Sequence, residues 1–293
     1  MECKEIKLTV PWGHVAARTY GPSTGERILL VHGRLDNAGS FNRLMEYLPM
    51  GFFYYVCIDL PGHGWSSHFP SWVIQDCMIY AHTIHFILEA LQWEKCIYIG
   101  HSMGAQIGLI FSIFQPDKIK KVIALDGFLI TVEGQNIAQY IETASALSIK
   151  ASSNIKPVFY TKEEVLYAFK TLRVGPLNSE AANALFERAV TKNGKYIYNR
   201  DIRLKNSPFS YMSEAQANDM TSRISVPIYV LAASDGILCQ NERMFMSAVN
   251  SLNAKTTLQI IIIEGSHDVH NNNPERVAPF VRKILTSSNS SKL

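Results

Sequence analysis

Gly100-His101-Ser102-Met103-Gly104 is the segment whose residue types and spacing most plainly suit chemistry. It follows the apolar run Cys96-Ile97-Tyr98-Ile99 and opens a helical pattern, so it reads as a strand-to-helix turn with a serine at its apex. Such a turn strains the serine backbone, and side chains at the flanking glycines would clash with neighbouring chain. It also sets the hydroxyl at a helix N-terminus, where partial positive charge favours developing negative charge. Ser102 is therefore the candidate nucleophile.

A serine hydroxyl is a poor nucleophile until a base takes its proton. The chain holds nine histidines. With the chain order Ser, acid, His, the base is expected just after the last strand, where Gly265-Ser266-His267 follows an apolar run. His267 is favoured, and His270, three residues on, is its competitor. His82 and His85 share a helical face without other ligand-like partners and read as packing or surface residues. The acid that orients the imidazole should follow a strand between Ser102 and His267. Asp235, before Gly236, is the default; Asp126, after Val122–Leu125 and before a change of texture, is the alternative, or else a carboxylate satisfied by backbone donors. His32-Gly33 ends an early strand, so the backbone N–H groups of Arg34 and Met103 are the expected oxyanion donors.

These residues need a scaffold. Apolar runs at 27–32, 54–59, 96–100 and 122–126 alternate with helical patterns at 74–91 and 103–114, the signature of βαβ units and a doubly wound parallel sheet. Ile6-Lys7-Leu8-Thr9-Val10 reads as a further strand. From about 129 to 223 the patterns at 136–147, 162–172 and 179–191 are helical, with no strand between them; Thr161 and Glu164 make a capping box. Strand patterns resume at 227–232 and 257–263, and a helix is expected from Pro274 to Leu285. The division expected is a core of 1–128 and 224–293 with a helical cap of 129–223 over the sheet's C-terminal edge, where open α/β sheets bind ligands.

Composition narrows the class. Hydrophobic residues make up 47% and charged residues 18%, the profile of a packed globule, and a formal charge of +3 argues against nucleic acid as a partner. Neither a signal-peptide pattern nor a stretch of roughly 18 apolar residues is present, so an intracellular, soluble protein without a membrane span is expected. The five cysteines lack metal-like spacing and read as free thiols. Ser291-Lys292-Leu293 matches the peroxisomal import address, implying an import receptor as partner and peroxisomal placement, with cytoplasm as a second location.

His32-Gly33, Leu35-Asp36-Asn37-Ala38-Gly39-Ser40-Phe41, Asp59-Leu60-Pro61-Gly62-His63-Gly64, the Ser102 block, and Gly265-Ser266-His267 followed by Asn273-Pro274-Glu275 resemble the α/β-hydrolase superfamily. Within it the chain is most similar to the serine hydrolase-like proteins of animals, a peroxisome-associated branch near the epoxide hydrolases and haloalkane dehalogenases. In the cap the likeness rests mainly on Asn199-Arg200-Asp201-Ile202-Arg203-Leu204. The resemblance implies a mostly parallel eight-stranded sheet with helices on both faces and a helical cap insertion. It also implies His267 as base and supports Asp235 as acid. Epoxide hydrolases and haloalkane dehalogenases attack with Asp; Ser102 in that position argues against both reactions and for acyl transfer. Relatives often carry Trp where this chain has Arg34, a side chain suited to a substrate carboxylate or phosphate, to a cap acid, or to solvent.

The expected function is hydrolysis of a carboxylic ester or thioester through a Ser-His-Asp triad and an acyl-enzyme, with an apolar acyl or aryl group and neither metal nor organic cofactor. In a peroxisome acyl-CoA thioesters are natural candidates; Arg188, Lys192, Lys195, Arg200, Arg203 and Lys205 would then meet CoA phosphates, or else form a solvated cap face. The rivals are a ligand-binding member with weak turnover, and a C–C bond hydrolase or acyltransferase using the same serine.

Overall fold

The computed structural model describes residues 2–130, 136–153, 156–173, 175–209 and 212–287. Its strands are β1 (Lys4–Val10), β2 (Gly13–Tyr20), β3 (Glu26–Val31), β4 (Phe53–Ile58), β5 (Cys96–His101), β6 (Ile119–Leu125), β7 (Val190–Asn193), β8 (Lys195–Tyr198), β9 (Ile228–Asp235) and β10 (Leu258–Ser266). Eight form one sheet in the order β1-β2-β4-β3-β5-β6-β9-β10, and only β2 runs against the rest. The longer helices are α1 (Cys77–Ala90), α2 (Met103–Phe114), α3 (Ile137–Ser152), α4 (Lys162–Thr171), α5 (Ser179–Ala189), α6 (Glu214–Ser222), α7 (Glu242–Asn250) and α8 (Pro274–Thr286).

Successive strand residues face opposite sides, and both sides are covered. In β3, Leu29 and Val31 pack towards α1 and α2, while Ile28 and Leu30 pack towards α8. A continuous apolar run is what such a strand requires, and each fully buried aliphatic contributes about 1.5–3 kcal/mol relative to exposure. Strand β2, which pattern reading passed over, has the same cause: Val15, Ala16 and Ala17 are all buried, so there is no alternation to see.

Between β6 and β9 the chain leaves the sheet and forms α3 to α6. This region is not purely helical. The helix expected through Thr191 stops at Ala189, because Val190-Thr191 pairs with Tyr198 and Ile197 in the β7–β8 hairpin. β-branched residues lose less in a strand than in a helix end. Its core is Val165, Phe169, Leu177, Ala181, Ala182, Leu185 and Val190. The Thr161–Glu164 capping box opens α4, with both reciprocal bonds made.

Two arginines of the expected basic stretch anchor this region instead of facing solvent. Arg188 is fully buried; it binds Asp59 through Nε and Nη2 and Glu5 through Nη1, and its guanidinium lies 4.2 Å from the Trp65 ring centroid. Arg203 pairs with Asp201 at 2.6 Å and donates to the carbonyls of Phe69, Pro70 and Val73. Among the described residues no helix is long and apolar enough to cross a membrane. Ser291, Lys292 and Leu293 lie outside the described residues.

Candidate active site

β5 ends at His101, Ser102 takes φ 50° and ψ −116°, and α2 begins at Met103. A positive φ at a non-glycine residue is strained, and the surroundings hold it in place. A side chain at Gly104 would run into the carbonyls of Val31 and His32, which explains why a small residue must follow the serine so closely.

The sheet register brings the next element to Ser102. Leu125 of β6 pairs with His101 on one side and Leu231 on the other, and its carbonyl accepts from the Ser102 N–H at 3.0 Å. Asp126 therefore emerges beside the serine, at φ 40° and buried. Its Oδ1 accepts from the Ala233 N–H at 3.0 Å and its Oδ2 from the Ile237 N–H at 2.9 Å. Oδ2 also lies 2.6 Å from His267 Nδ1, and His267 Nε2 lies 3.0 Å from Ser102 Oγ. A carboxylate only accepts, so the imidazole proton sits on Nδ1, and Nε2 is left to accept from the serine hydroxyl. Both expected uses of Asp126, backbone-satisfied carboxylate and partner of the histidine, are realised together.

Asp235 occupies a different place. β9 continues to Asp235, which pairs in register with Ser266; its side chain is exposed and accepts from the Ser234 hydroxyl at 3.2 Å. The structure thus brings Asp126, and not Asp235, to His267. His270 lies behind the site against Phe41 and His101, its ring 4.0 Å from that of His101 by centroids, and burial pushes its pKa far down.

Burial works against a charged His267, but the hydrogen bond to Asp126 and the negative charges of Asp268, Asp126 and Asp36 outweigh it, and its pKa lies above the ordinary value. His101, buried and beside His267, is pushed down to about 3 and stays neutral.

Several positioning residues stand in segments that the sequence singled out without giving these side chains a role, and Arg173 carries no signature at all. His63 Nε2 accepts from the Leu35 N–H at 3.2 Å, and His32 donates to the Gly33 carbonyl at 2.7 Å while accepting from the Leu60 N–H. Together they hold the turn at Gly33-Arg34, with Leu35 at φ 68°, against the nucleophile. Burial keeps His63 neutral, as an acceptor must be. Arg173 bridges Asp36 (2.8 Å) and Asp268 (2.9 Å), tying the inserted region to the residue after the histidine. Burial opposes ionisation of Asp36, but Arg173 beside it lowers its pKa; Asp268, where burial dominates, is pushed up to about 6. Asp36, His101 and Asp268 could converge on a cation, but the Arg173 guanidinium already fills that electrostatic role.

Ser102 and His267 open onto a cavity of about 680 Å³, lined also by Arg34, Met103, Phe128, Phe169, Arg200 and Phe209. This is within the roughly 300–1,000 Å³ of small-molecule sites. The Arg34 side chain donates to the Leu204 carbonyl at 2.9 Å rather than to a cap acid. An addressed serine, an imidazole free to accept its proton and a buried carboxylate behind it are the parts of nucleophilic catalysis.

Fold and site together define a hydrolase of the α/β class. The chain belongs to the alpha/beta hydrolase fold family, whose pattern matches residues 26–270. It is 32% identical to the Serine hydrolase-like protein of Danio rerio, over 96% of this chain and 88% of that protein. It is 30% identical to Serine hydrolase-like protein 2 of Homo sapiens, over 96% and 93%. Among solved structures it is similar to a hypothetical protein from Pseudomonas aeruginosa PAO1, with a TM-score of 0.82, 25% identity, and 98% and 99% of the two chains covered.

Proposed function

We propose that the protein hydrolyses carboxylic esters or thioesters by two-step acyl transfer at Ser102. One observation carries the reading: the unbroken line of hydrogen bonds from Ser102 Oγ through His267 to Asp126 at the floor of a cavity. Ser102 Oγ attacks the carbonyl carbon as His267 Nε2 takes its proton, and Asp126 stabilises the imidazolium. Backbone N–H groups of Arg34 and Met103 receive the oxyanion, and the proton on His267 passes to the departing alcohol or thiol. Water, deprotonated by His267, then attacks the acyl-enzyme and releases the acid. Phe128, Phe169 and Phe209 along the cavity suit an apolar acyl or aryl group.

A fluorophosphonate probe with intact and peptide mass spectrometry tests this directly. Labelling at Ser102 that disappears in Ser102→Ala and His267→Ala is the expected result. Folded wild-type protein that takes no label would move a ligand-binding role with little turnover to the front.

A further inference from the structure

The walls of the cavity carry more positive charge than they neutralise. Three arginines line it, Arg34, Arg173 and Arg200; Arg173 is neutralised by Asp36 and Asp268, which leaves Arg34 and Arg200. The carboxylates that line it are committed: Asp36 pairs with Arg173 at 2.8 Å, and Asp126 is held by His267 and two backbone N–H groups. Among the described residues no carboxylate lies within 4 Å of the Arg34 or Arg200 guanidinium.

The two side chains are nevertheless held in position. Arg34 reaches from the turn beside Ser102 to the cap and gives one N–H to the neutral carbonyl of Leu204. A guanidinium has five donors, so most of its fork is free for another acceptor. The Arg200 guanidinium carbon lies 4.3 Å from the Tyr198 ring centroid, a cation–π contact that uses none of its N–H donors on a carboxylate. Both residues line the same cavity, and burial, then the Arg200 charge, lower the Arg34 pKa. Arg34 is partly buried and Arg200 exposed; a charge partly withdrawn from water gains from a partner, and a neutral substrate would leave Arg34 without one.

We propose that the substrate bears an anionic oxygen group, a carboxylate or a phosphate, that seats between Arg34 and Arg200 while its apolar part lies along Phe128, Phe169 and Phe209. This rests on the acyl-transfer reading above and adds a substrate class to it. Arg34 follows Gly33, whose added Cβ would stand 3.2 Å from that of Ser102, so its backbone lies beside the serine while its side chain reaches Leu204.

Two matched substrate pairs test it and separate the sources of the anion. Mono-p-nitrophenyl adipate against its methyl ester places a carboxylate on the acyl side. S-butanoyl-4′-phosphopantetheine against S-butanoylpantetheine places a phosphate on the leaving-group side. In at least one pair the anionic member is expected to have a kcat/KM about tenfold higher or more. That ratio should fall to within about twofold of unity in Arg34→Gln and in Arg200→Gln, whatever happens to absolute rates. Protection of Ser102 from the fluorophosphonate by monomethyl adipate, but not by dimethyl adipate, reads the same preference without turnover. Equal kcat/KM within both pairs with equal protection, or a preference that survives both substitutions, overturns the proposal. A serine that never labels overturns the acyl-transfer reading itself, and this inference with it.

Discussion

The Asp126 carboxylate meets the His267 imidazole at 2.6 Å from the end of β6, the strand adjoining the nucleophile's own, while Asp235 at the end of β9 faces outward. Asp126→Asn should therefore lower kcat by about 10³–10⁴-fold, since an amide can donate to Nδ1 and set the wrong tautomer. Asp235→Asn should remain within a few-fold of wild type. Steady-state hydrolysis of p-nitrophenyl acetate by both variants, with circular dichroism to verify folding, decides between them; the reverse ranking would assign the acid to Asp235.

The raised His267 pKa fixes the sign of the pH dependence. A general base acts only when neutral, so kcat/KM should rise with pH through an apparent pKa above 6.5. The stability linked to the same group runs the other way: a folded-state pKa above the unfolded one contributes fully below the unfolded pKa and is lost as pH rises through the folded one. Asp268→Asn removes a negative charge beside the imidazole and should move the acid limb of the profile to lower pH. An acid limb that stays in place would show that Asp268 exerts no such influence.

Arg188→Met should be strongly destabilising. It strips the counter-charge from the buried Asp59 carboxylate, and breaking one side of a buried pair costs about 3–5 kcal/mol. Calorimetry should show a fall in Tm on the order of 10 °C. The companion Arg188→Met/Asp59→Asn variant should recover part of the loss; no recovery would mean that the damage is packing against Trp65.

His63→Ala removes the acceptor that holds the Leu35 N–H. The turn carrying Arg34 should loosen, lowering kcat by about tenfold with a smaller change in KM, because the interaction lost is one made mainly in the transition state. A KM effect alone would point to substrate binding instead.

Much of this architecture could be read from residue order. The Ser102 turn is legible because strand, glycines and helix leave no other conformation open. His267 follows from its place after the final parallel strand. The choice between Asp126 and Asp235 was not legible, because both follow apolar strands and both precede glycine; what separates them is lateral sheet order, which places β6 beside β5. The β7–β8 hairpin was hidden because each of its strands is four residues long, too short for a period to declare itself. Arg188 and Arg203 looked like part of a solvated basic face because the groups that bury them, Glu5 and Asp59 for Arg188 and the carbonyl of Phe69 for Arg203, lie 129 to 183 residues away in the chain.

Ser102 and Asp126 are both synthesised before the insertion between β6 and β9, and His267 after it, 141 positions on from Asp126. At ordinary translation rates a growing polypeptide holds its serine for on the order of ten to thirty seconds with no imidazole to activate it. The nascent chain is chemically silent, and reactivity arrives only when the last parallel strand docks. On the acyl-transfer reading proposed above, completion of the fold and the onset of reactivity would be the same event.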